Sequence, residues 1–170
     1  VVRHARQHSA RQSERGMSDM QDSLRDLYQE VIFDHNRNPR NYRPLPAASH
    51  HADGHNPLCG DQLTVYLQVE DGIVREASFV GHGCAISTAS ASLMTEAVKG
   101  KPVAEVEALF RDVHALLTEG REAADPARDF GKLEVLSGVK EFPARVKCAT
   151  LAWHTLHNAL VGEHETAPTE

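Results

Sequence analysis

The sequence lacks the apolar run that a membrane-spanning helix requires. No stretch approaches the ~20 consecutive apolar residues that cross a bilayer, so we expect a water-soluble chain without a membrane partner. An excess of basic residues is also missing, because 18 Lys and Arg residues stand against 24 Asp and Glu, giving a formal charge of −6. A nucleic-acid partner needs a basic face that neutralises phosphates, and this balance argues against one. At 170 residues the chain is long enough for one domain with a sizeable core.

Cysteine is scarce, and its number is odd. Cys59, Cys84 and Cys148 are the three in the chain, so a disulfide framework would leave one thiol unpaired. Widely spaced thiols in a domain of this size favour a reducing compartment and metal or thiol chemistry. We therefore expect a cytoplasmic protein.

The first residues look foreign to the fold. Residues 1–16 are rich in Arg and Ser and poor in acid, but they lack the amphipathic apolar face of a transit peptide. Met17 follows directly, which favours an upstream translational start or an added run of residues. We expect a disordered extension over residues 1–22, a domain over residues 23–161 and a flexible tail over residues 162–170.

Hydrophobic periodicity predicts an α+β fold in which a small antiparallel sheet is followed by a packed set of helices. The expected elements are, in order, a helix from Ser23 to Asn38, a loop over residues 43–58 with a candidate strand at His50 to Asp53, strands over 62–69 and 73–80 joined by Asp71-Gly72, and helices over 85–98, 102–120, 133–136 and from Pro143 onward. Residues 121–129 are a charged insertion, which we expect to be an exposed connection.

Each cysteine lies at a boundary between predicted elements, where side chains can converge. Cys84 precedes a helix and Cys148 lies in the first two turns of another, where the partial positive charge of the helix end favours a thiolate. Gly60 permits a bend that aims Cys59 and Asp61 into one site. Three thiolates and a carboxylate would bind a thiophilic divalent ion. The residues alone leave a second interpretation open, in which the cysteines are small buried side chains.

Two further groups have expected roles. His82, two residues before Cys84, is expected at the rim of the site, and His35 is expected to cap the first helix or hold the following loop. The run of small hydroxyl residues between Ser87 and Ser92 is expected to permit tight helix packing.

Short motifs between Leu24 and Leu160 occur in a characteristic order. They are Ile32-Phe33-Asp34-His35, Asn38-Pro39-Arg40-Asn41, Asn56-Pro57-Leu58-Cys59-Gly60-Asp61, Phe79 to Gly81, Gly83-Cys84-Ala85-Ile86-Ser87 and Lys147-Cys148-Ala149-Thr150-Leu151. This set resembles the IscU/NifU N-terminal family of iron–sulfur cluster assembly proteins. The resemblance implies the α+β fold of that family.

Within the family, the chain most resembles the SufU branch. Lys147 stands where the cluster scaffolds have a histidine. Residues 141–146 read Glu-Phe-Pro-Ala-Arg-Val in place of the chaperone-docking motif Leu-Pro-Pro-Val-Lys. The insertion at residues 121–129 is similar to the one that marks SufU. These departures disfavour a scaffold role.

The resemblance implies a zinc-dependent sulfurtransferase. The implied zinc ligands are Cys59, Asp61, Cys84 and Cys148. Cys59 would accept sulfur from the persulfide of a SufS-type, pyridoxal-phosphate-dependent cysteine desulfurase, after a histidine of that enzyme takes its place on zinc. Arg145 would steady the site or contact the partner, unless it is a solvated charge, and the SUF cluster scaffold complex is a further candidate partner. The alternative is a scaffold that binds iron and assembles a [2Fe–2S] cluster on the same thiolates.

Overall fold

The computed structural model describes Gly16, Asp19 and residues 25–162. The predicted extension over residues 1–22 and the predicted tail over residues 162–170 therefore fall almost entirely outside the described residues. The predicted start of the first helix is outside them as well. Within the described part of the chain, no helix is both long enough and apolar enough to cross a membrane.

The structure is α+β, as predicted. Its elements are α1 (residues 25–37), β1 (His50–Asn56), β2 (Asp61–Glu70), β3 (Ile73–His82), α2 (Ala85–Val98), α3 (Val103–Thr118), a 3₁₀ turn (Arg121–Ala123), a 3₁₀ helix (Gly131–Glu141) and α4 (Pro143–Val161). The strands form one antiparallel sheet in the order β1-β2-β3.

The three strands are joined by two short connections, a tight hairpin between β2 and β3 and a turn between β1 and β2. Asp71 and Gly72 join β2 to β3 with positive φ angles at both positions, which suits the Asp-Gly pair in a hairpin turn. On the other side, β1 pairs with β2 from His50 opposite Leu67 to Asn56 opposite Asp61. The candidate strand is therefore present and extends to Asn56, so the predicted loop over residues 43–58 is too long. This register leaves four residues, 57–60, to turn from β1 into β2.

Helix α4 lies at the centre of the domain. It packs against β1, β2, α2 and α3, and its Trp153 is completely buried. The hydroxyl run of α2 permits the close approach that was expected, because Ser90 Oγ donates a hydrogen bond to the carbonyl oxygen of Ala149 at 2.6 Å. Helices α2 and α4 are thereby held side by side.

Helix α1 is attached more lightly. Leu27, on its predicted apolar stripe, is 52% exposed. Its last turn is anchored by His35, which is fully buried and lies 2.7 Å from Ser92 Oγ through Nδ1. The same hydroxyl accepts the backbone N–H of Arg40 at 2.9 Å. His35 thus holds the loop that follows the first helix, one of the two roles expected for it.

The segment after α3 differs from expectation. The short helix predicted at residues 133–136 is instead the longer 3₁₀ helix Gly131–Glu141. The charged insertion is largely exposed, as predicted, but Arg128 ties it to α3 through Glu105 at 2.6 Å and Asp112 at 2.7 Å. Both ion pairs form because Glu105 and Asp112 lie on the same face of α3, within reach of Arg128.

Candidate metal centre

Cys59 lies in the turn that joins β1 to β2. The turn closes through the backbone N–H of Gly60, which donates to the carbonyl oxygen of Asn56 at 2.9 Å. Gly60 has a φ of 72°, a left-handed conformation that glycine adopts without strain. Asp61 follows as the first residue of β2 and is 1% exposed, whereas Cys59 is exposed. The predicted bend at Gly60 is therefore present.

Cys84 is the N-cap residue of α2. Its Sγ accepts the backbone N–H of Ser87 at 3.4 Å, one of the donors that a helix start leaves unpaired. Its own backbone N–H donates to Asp61 Oδ1 at 2.8 Å. The carboxylate of Asp61 consequently connects the start of β2 to the start of α2.

Cys148 lies in the second turn of α4 and is 6% exposed. Its Sγ is 3.4 Å from Cys59 Sγ, although the two residues are 89 positions apart. The Cys148 thiol is therefore buried, whereas Cys59 and Cys84 are exposed.

The four predicted ligands converge. Ligand atoms of Cys59, Asp61 and Cys148 lie within 4.8 Å of one another, and the distance from Cys59 Sγ to Asp61 Oδ2 is 3.0 Å. Cys84 Sγ lies somewhat farther out, 3.8 Å from Asp61 Oδ2. His82 is exposed and is not part of this group.

With this geometry established, the comparisons with known proteins identify the family. Residues 27–160 match the family described as the NifU-like N terminal domain. The chain belongs to this family. The resemblance read from the motifs is therefore confirmed.

Two relatives of this NifU-like domain have different described functions. It is 43% identical over 141 residues to the zinc-dependent sulfurtransferase SufU of Bacillus subtilis (strain 168), covering 83% of this chain and 94% of that protein. It is 42% identical over 137 residues to the iron–sulfur cluster assembly scaffold protein IscU of Thermotoga maritima, covering 79% and 92%.

A solved structure supports the fold assignment. It is a protein of Fervidobacterium islandicum AW-1, described as a candidate iron–sulfur cluster assembly scaffold for the SUF system. The TM-score is 0.70 at 30% identity, over 77% of this chain and 94% of that one.

Burial is the largest influence on the pKa values of Cys59 and Cys148 in this NifU-like domain. Burial raises the pKa of Cys148 far above that of a free thiol, and hydrogen bonds with its neighbours, Cys59 first, raise it further. Burial and a hydrogen bond to Asp61 likewise raise the pKa of Cys59. Burial therefore opposes the thiolate that the helix position of Cys148 favours.

The donor set fits a thiophilic divalent metal ion. Cys59, Asp61 and Cys148 form one group among the described residues, and the thiol of Cys84 lies beside it, 3.8 Å from Asp61 Oδ2. Zinc takes four sulfur, nitrogen or oxygen ligands in a tetrahedron, and its positive charge favours the deprotonated thiols that burial disfavours. Asp61 and Cys148 lie on the buried side and the other two donors on the open side, so any bound ion would be accessible from one direction.

An apolar cavity of about 610 Å³ opens in front of the thiols. Phe33 and Leu58, which line it, are 52% and 73% exposed. Arg145 lines the same cavity, and its guanidinium carbon lies 4.7 Å from the centre of the Phe142 ring, a cation–π contact. Arg145 is thus an exposed residue on the wall of the cavity that the cysteines also line.

Sequence reasoning missed the role of Asn56. Its side-chain Nδ2 donates to Cys59 Sγ at 2.8 Å, and the residue is 1% exposed. The available signal was its place in the motif, three residues before the cysteine at the start of a proline-containing turn, where Asn side chains commonly bond to nearby backbone.

Proposed function

We propose that this protein is a zinc-dependent sulfurtransferase of iron–sulfur cluster assembly, acting in the cytoplasm. It accepts sulfur from the persulfide of a SufS-type, pyridoxal-phosphate-dependent cysteine desulfurase and passes it to the SUF cluster scaffold complex. The observation that carries the proposal is the group of Cys59, Asp61 and Cys148, whose ligand atoms lie within 4.8 Å of one another, with Cys84 Sγ 3.8 Å from Asp61 Oδ2. The 43% identity to a zinc-dependent sulfurtransferase supports it.

The proposed zinc ligands are Cys59, Asp61, Cys84 and Cys148. Zinc, when bound, keeps its thiolates deprotonated and protected until a ligand is exchanged. Asp61 Oδ1 is already engaged by the Cys84 N–H at 2.8 Å, which leaves Oδ2 facing the sulfurs. One carboxylate oxygen therefore orients the site while the other is available as a ligand.

Cys59 is the proposed sulfur acceptor. All three cysteines line the cavity, but Cys59 lies in an exposed turn whereas Cys148 is buried in α4. Cys59 Sγ attacks the outer sulfur of the donor persulfide, a new S–S bond forms on Cys59, and the S–S bond of the donor breaks. The electron pair remains on the donor cysteine as a thiolate, so the transfer involves no net oxidation.

Arg145 is proposed to support this exchange electrostatically. A persulfide anion that enters the cavity approaches three sulfurs and a carboxylate, and a positive charge on the cavity wall offsets part of that repulsion. The Phe142 ring fixes the direction of the guanidinium. The alternative, a purely solvated charge, predicts no effect of Arg145→Gln on transfer.

The second candidate function is a scaffold for [2Fe–2S] cluster assembly. It is favoured by the 42% identity to the Thermotoga maritima scaffold protein. The same three thiols would hold the cluster. Lys147, where the scaffolds have a histidine, argues against it.

Elemental analysis of protein purified under air separates the two functions. The sulfurtransferase predicts about one zinc per chain and a colourless protein, whereas the scaffold predicts a brown protein with iron and acid-labile sulfide. Incubation with desulfurase and cysteine then tests the acceptor. Cys59→Ser should abolish persulfide labelling and the stimulation of alanine release, and labelling that persists in this variant would remove Cys59 from its proposed role.

A further inference from the structure

Both ends of the Asn56 side-chain amide form hydrogen bonds in the turn that carries Cys59. Its Oδ1 accepts the backbone N–H of Leu58 at 3.1 Å, and its Nδ2 donates to Cys59 Sγ at 2.8 Å. Its own carbonyl oxygen accepts the N–H of Gly60. One residue therefore fixes both the course of the turn and the position of the sulfur at its tip.

The base of this arrangement is rigid. Asn56 is the last residue of β1, pairs with Asp61 across the sheet and is 1% exposed. Its side chain has little freedom to move, because both ends of the amide are bonded and the residue is buried. Functional groups held from strands are placed more accurately than groups held from loops.

The hydrogen bond distinguishes Cys59 from the other thiols. Cys59 Sγ receives a side-chain N–H, whereas Cys84 Sγ receives the backbone N–H of Ser87 at the longer distance of 3.4 Å. A donor of this kind strengthens as the sulfur gains negative charge, since hydrogen bonds to ionised groups are about twice as strong as neutral ones. The bond from Asn56 also persists if Cys59 leaves a metal ion, because it does not depend on that ion.

We propose that Asn56 is a positioning residue for sulfur transfer, which holds Cys59 Sγ towards the cavity and so selects Cys59 among the three thiols as the acceptor. This inference rests on the proposed function, because it assumes that sulfur arrives as a persulfide. Asn56 itself forms no bond to the transferred sulfur. Its contribution is the direction and the charge stabilisation of the attacking thiolate.

Two substitutions at Asn56 remove the N–H donor to sulfur and keep an oxygen acceptor for the Leu58 N–H. Asn56→Asp keeps the shape and the acceptor for the Leu58 N–H, but it removes the donor to sulfur. Asn56→Ser supplies a smaller, neutral acceptor that supports the same kind of turn and cannot add a carboxylate ligand. The matched control is Gln62→Glu, an equivalent amide-to-carboxylate change at an exposed position of β2.

The experiment uses the full chain loaded with zinc, together with cysteine desulfurase and cysteine. Initial persulfide formation is measured separately on the three cysteine peptides by mass spectrometry, and zinc content is measured on the same samples. We expect both Asn56 variants to keep about one zinc per chain. Labelling of Cys59 should fall roughly tenfold or more, the effect of losing a hydrogen bond to a charged group. The fraction of sulfur on Cys84 and Cys148 should rise, and the control should behave as wild type.

Three outcomes would contradict the inference. Wild-type labelling of Cys59 in both variants would show that the hydrogen bond is dispensable. Loss of labelling in proportion to loss of zinc, or to loss of folded protein in both variants, would assign Asn56 a structural role instead. A wild-type protein that takes up no persulfide on any thiol would overturn the proposed function, and this inference with it, so the two failures are distinguishable.

Discussion

Asp61 contacts two of the three cysteines of the candidate site, Cys59 and Cys84. Its Oδ1 accepts the Cys84 N–H, and its Oδ2 lies 3.0 Å from Cys59 Sγ and 3.8 Å from Cys84 Sγ. A carboxylate in this position adds one negative charge to three thiols and fixes two of the three segments that supply them. It is therefore both a candidate ligand and a structural link.

Replacing Asp61 separates these two roles. Asp61→Asn retains an oxygen that can accept the Cys84 N–H, but it removes the charged ligand. We expect zinc affinity to fall at least about tenfold, since changes outside the ligand set alone cost about 10–100-fold. Competition with a chromophoric chelator measures the change.

Asp53→Asn is the matched control for that experiment. Asp53 is an exposed carboxylate on β1 that accepts a hydrogen bond from Thr64, and it lies outside the ligand group. Zinc affinity should be unchanged in this variant. An unchanged affinity in Asp61→Asn would exclude Asp61 as a ligand.

His35 makes stability depend on pH. Burial, and secondarily the charge of Arg40, lowers the pKa of His35 below its ordinary value of 6.5. The unfolded chain therefore binds a proton at a pH where the folded chain does not, so this stabilisation is complete above about pH 6.5 and is lost as the pH falls below it. The slope is at most about 1.4 kcal/mol per pH unit.

Urea unfolding between pH 7 and pH 5 tests this effect. The free energy of unfolding of the wild type should fall more steeply towards low pH than that of His35→Gln, which cannot be protonated. The variant is also expected to be less stable at pH 7, because it loses the fit of the ring to Ser92. Parallel curves for the two proteins would show that His35 does not titrate differently on folding.

At the level of single residues, the sequence predicted the ligand types but not their contacts. The motifs pointed to Cys59, Asp61, Cys84 and Cys148; the structure groups Cys59, Asp61 and Cys148 and places Cys84 Sγ 3.8 Å from Asp61 Oδ2. The 3.4 Å approach of Cys59 to Cys148 depends on the packing of α4, which local patterns do not encode. The hydrogen bond from Asn56 depends on side-chain rotamers in a turn, which are equally hidden.

At the level of elements, predictability followed the hydrophobic pattern. Helix α2 occupies residues 85–98, as predicted, because Gly100 and Pro102 mark its end. Strand β1 was underestimated because its buried positions are Ala52, Gly54 and Asn56, none of which is a large apolar residue. An alternation built from such residues does not resemble a typical half-buried strand.

The 3₁₀ helix shows the opposite case, a pattern that was present but misread. Leu133, Val135, Leu136 and Val139 are buried, and three of these four recur at intervals of three, the period of a 3₁₀ helix. Runs of this length are uncommon, so a shorter helix was predicted.

The contact between β2 and the start of α2 requires a glycine. A Cβ atom at Gly83 would lie 2.6 Å from Asp61 Oδ1 and 3.0 Å from its Cγ. Gly83→Ala should therefore push the carboxylate away, weaken zinc binding and cost about 1–3 kcal/mol of stability, as overpacking does. Chelator competition and urea unfolding measure the two effects.

Gly138→Ala is the control for this substitution. A Cβ atom there meets nothing within 4 Å, and Gly138 lies in the 3₁₀ helix away from the ligands. Stability and zinc affinity should be close to wild type. If Gly83→Ala behaves in the same way, the backbone near Asp61 adjusts and the contact is not restrictive.

At the level of the whole molecule, the site joins parts of the chain that are otherwise separate. Cys59 and Asp61 come from the turn between β1 and β2 and the start of β2, Cys84 from the start of α2 and Cys148 from α4. An ion held by all four would cross-link the sheet to both helices. Because the unfolded chain does not preform such a site, binding would stabilise the fold.

Zinc removal should therefore lower the melting temperature. With free zinc at about 1,000 times its dissociation constant, binding contributes about 4 kcal/mol, which corresponds to a shift of about 8–16 °C for a domain of this size. Scanning calorimetry with stoichiometric zinc, after chelation and after re-addition measures this shift. Magnesium, which prefers oxygen ligands, is the control and should not restore the melting temperature. Equal melting temperatures with and without zinc would show that the ion does not cross-link the fold.

The position of Cys148 so late in the chain also has a consequence for biosynthesis. It leaves the ribosome 89 residues after Cys59, an interval of roughly 4–18 s at ordinary rates of translation. During that interval the nascent chain carries Cys59, and then Cys84, without the helix that completes their site. Metal loading of the finished site can therefore begin only after α4 has emerged, and the early thiols depend on the reducing capacity of their surroundings until then.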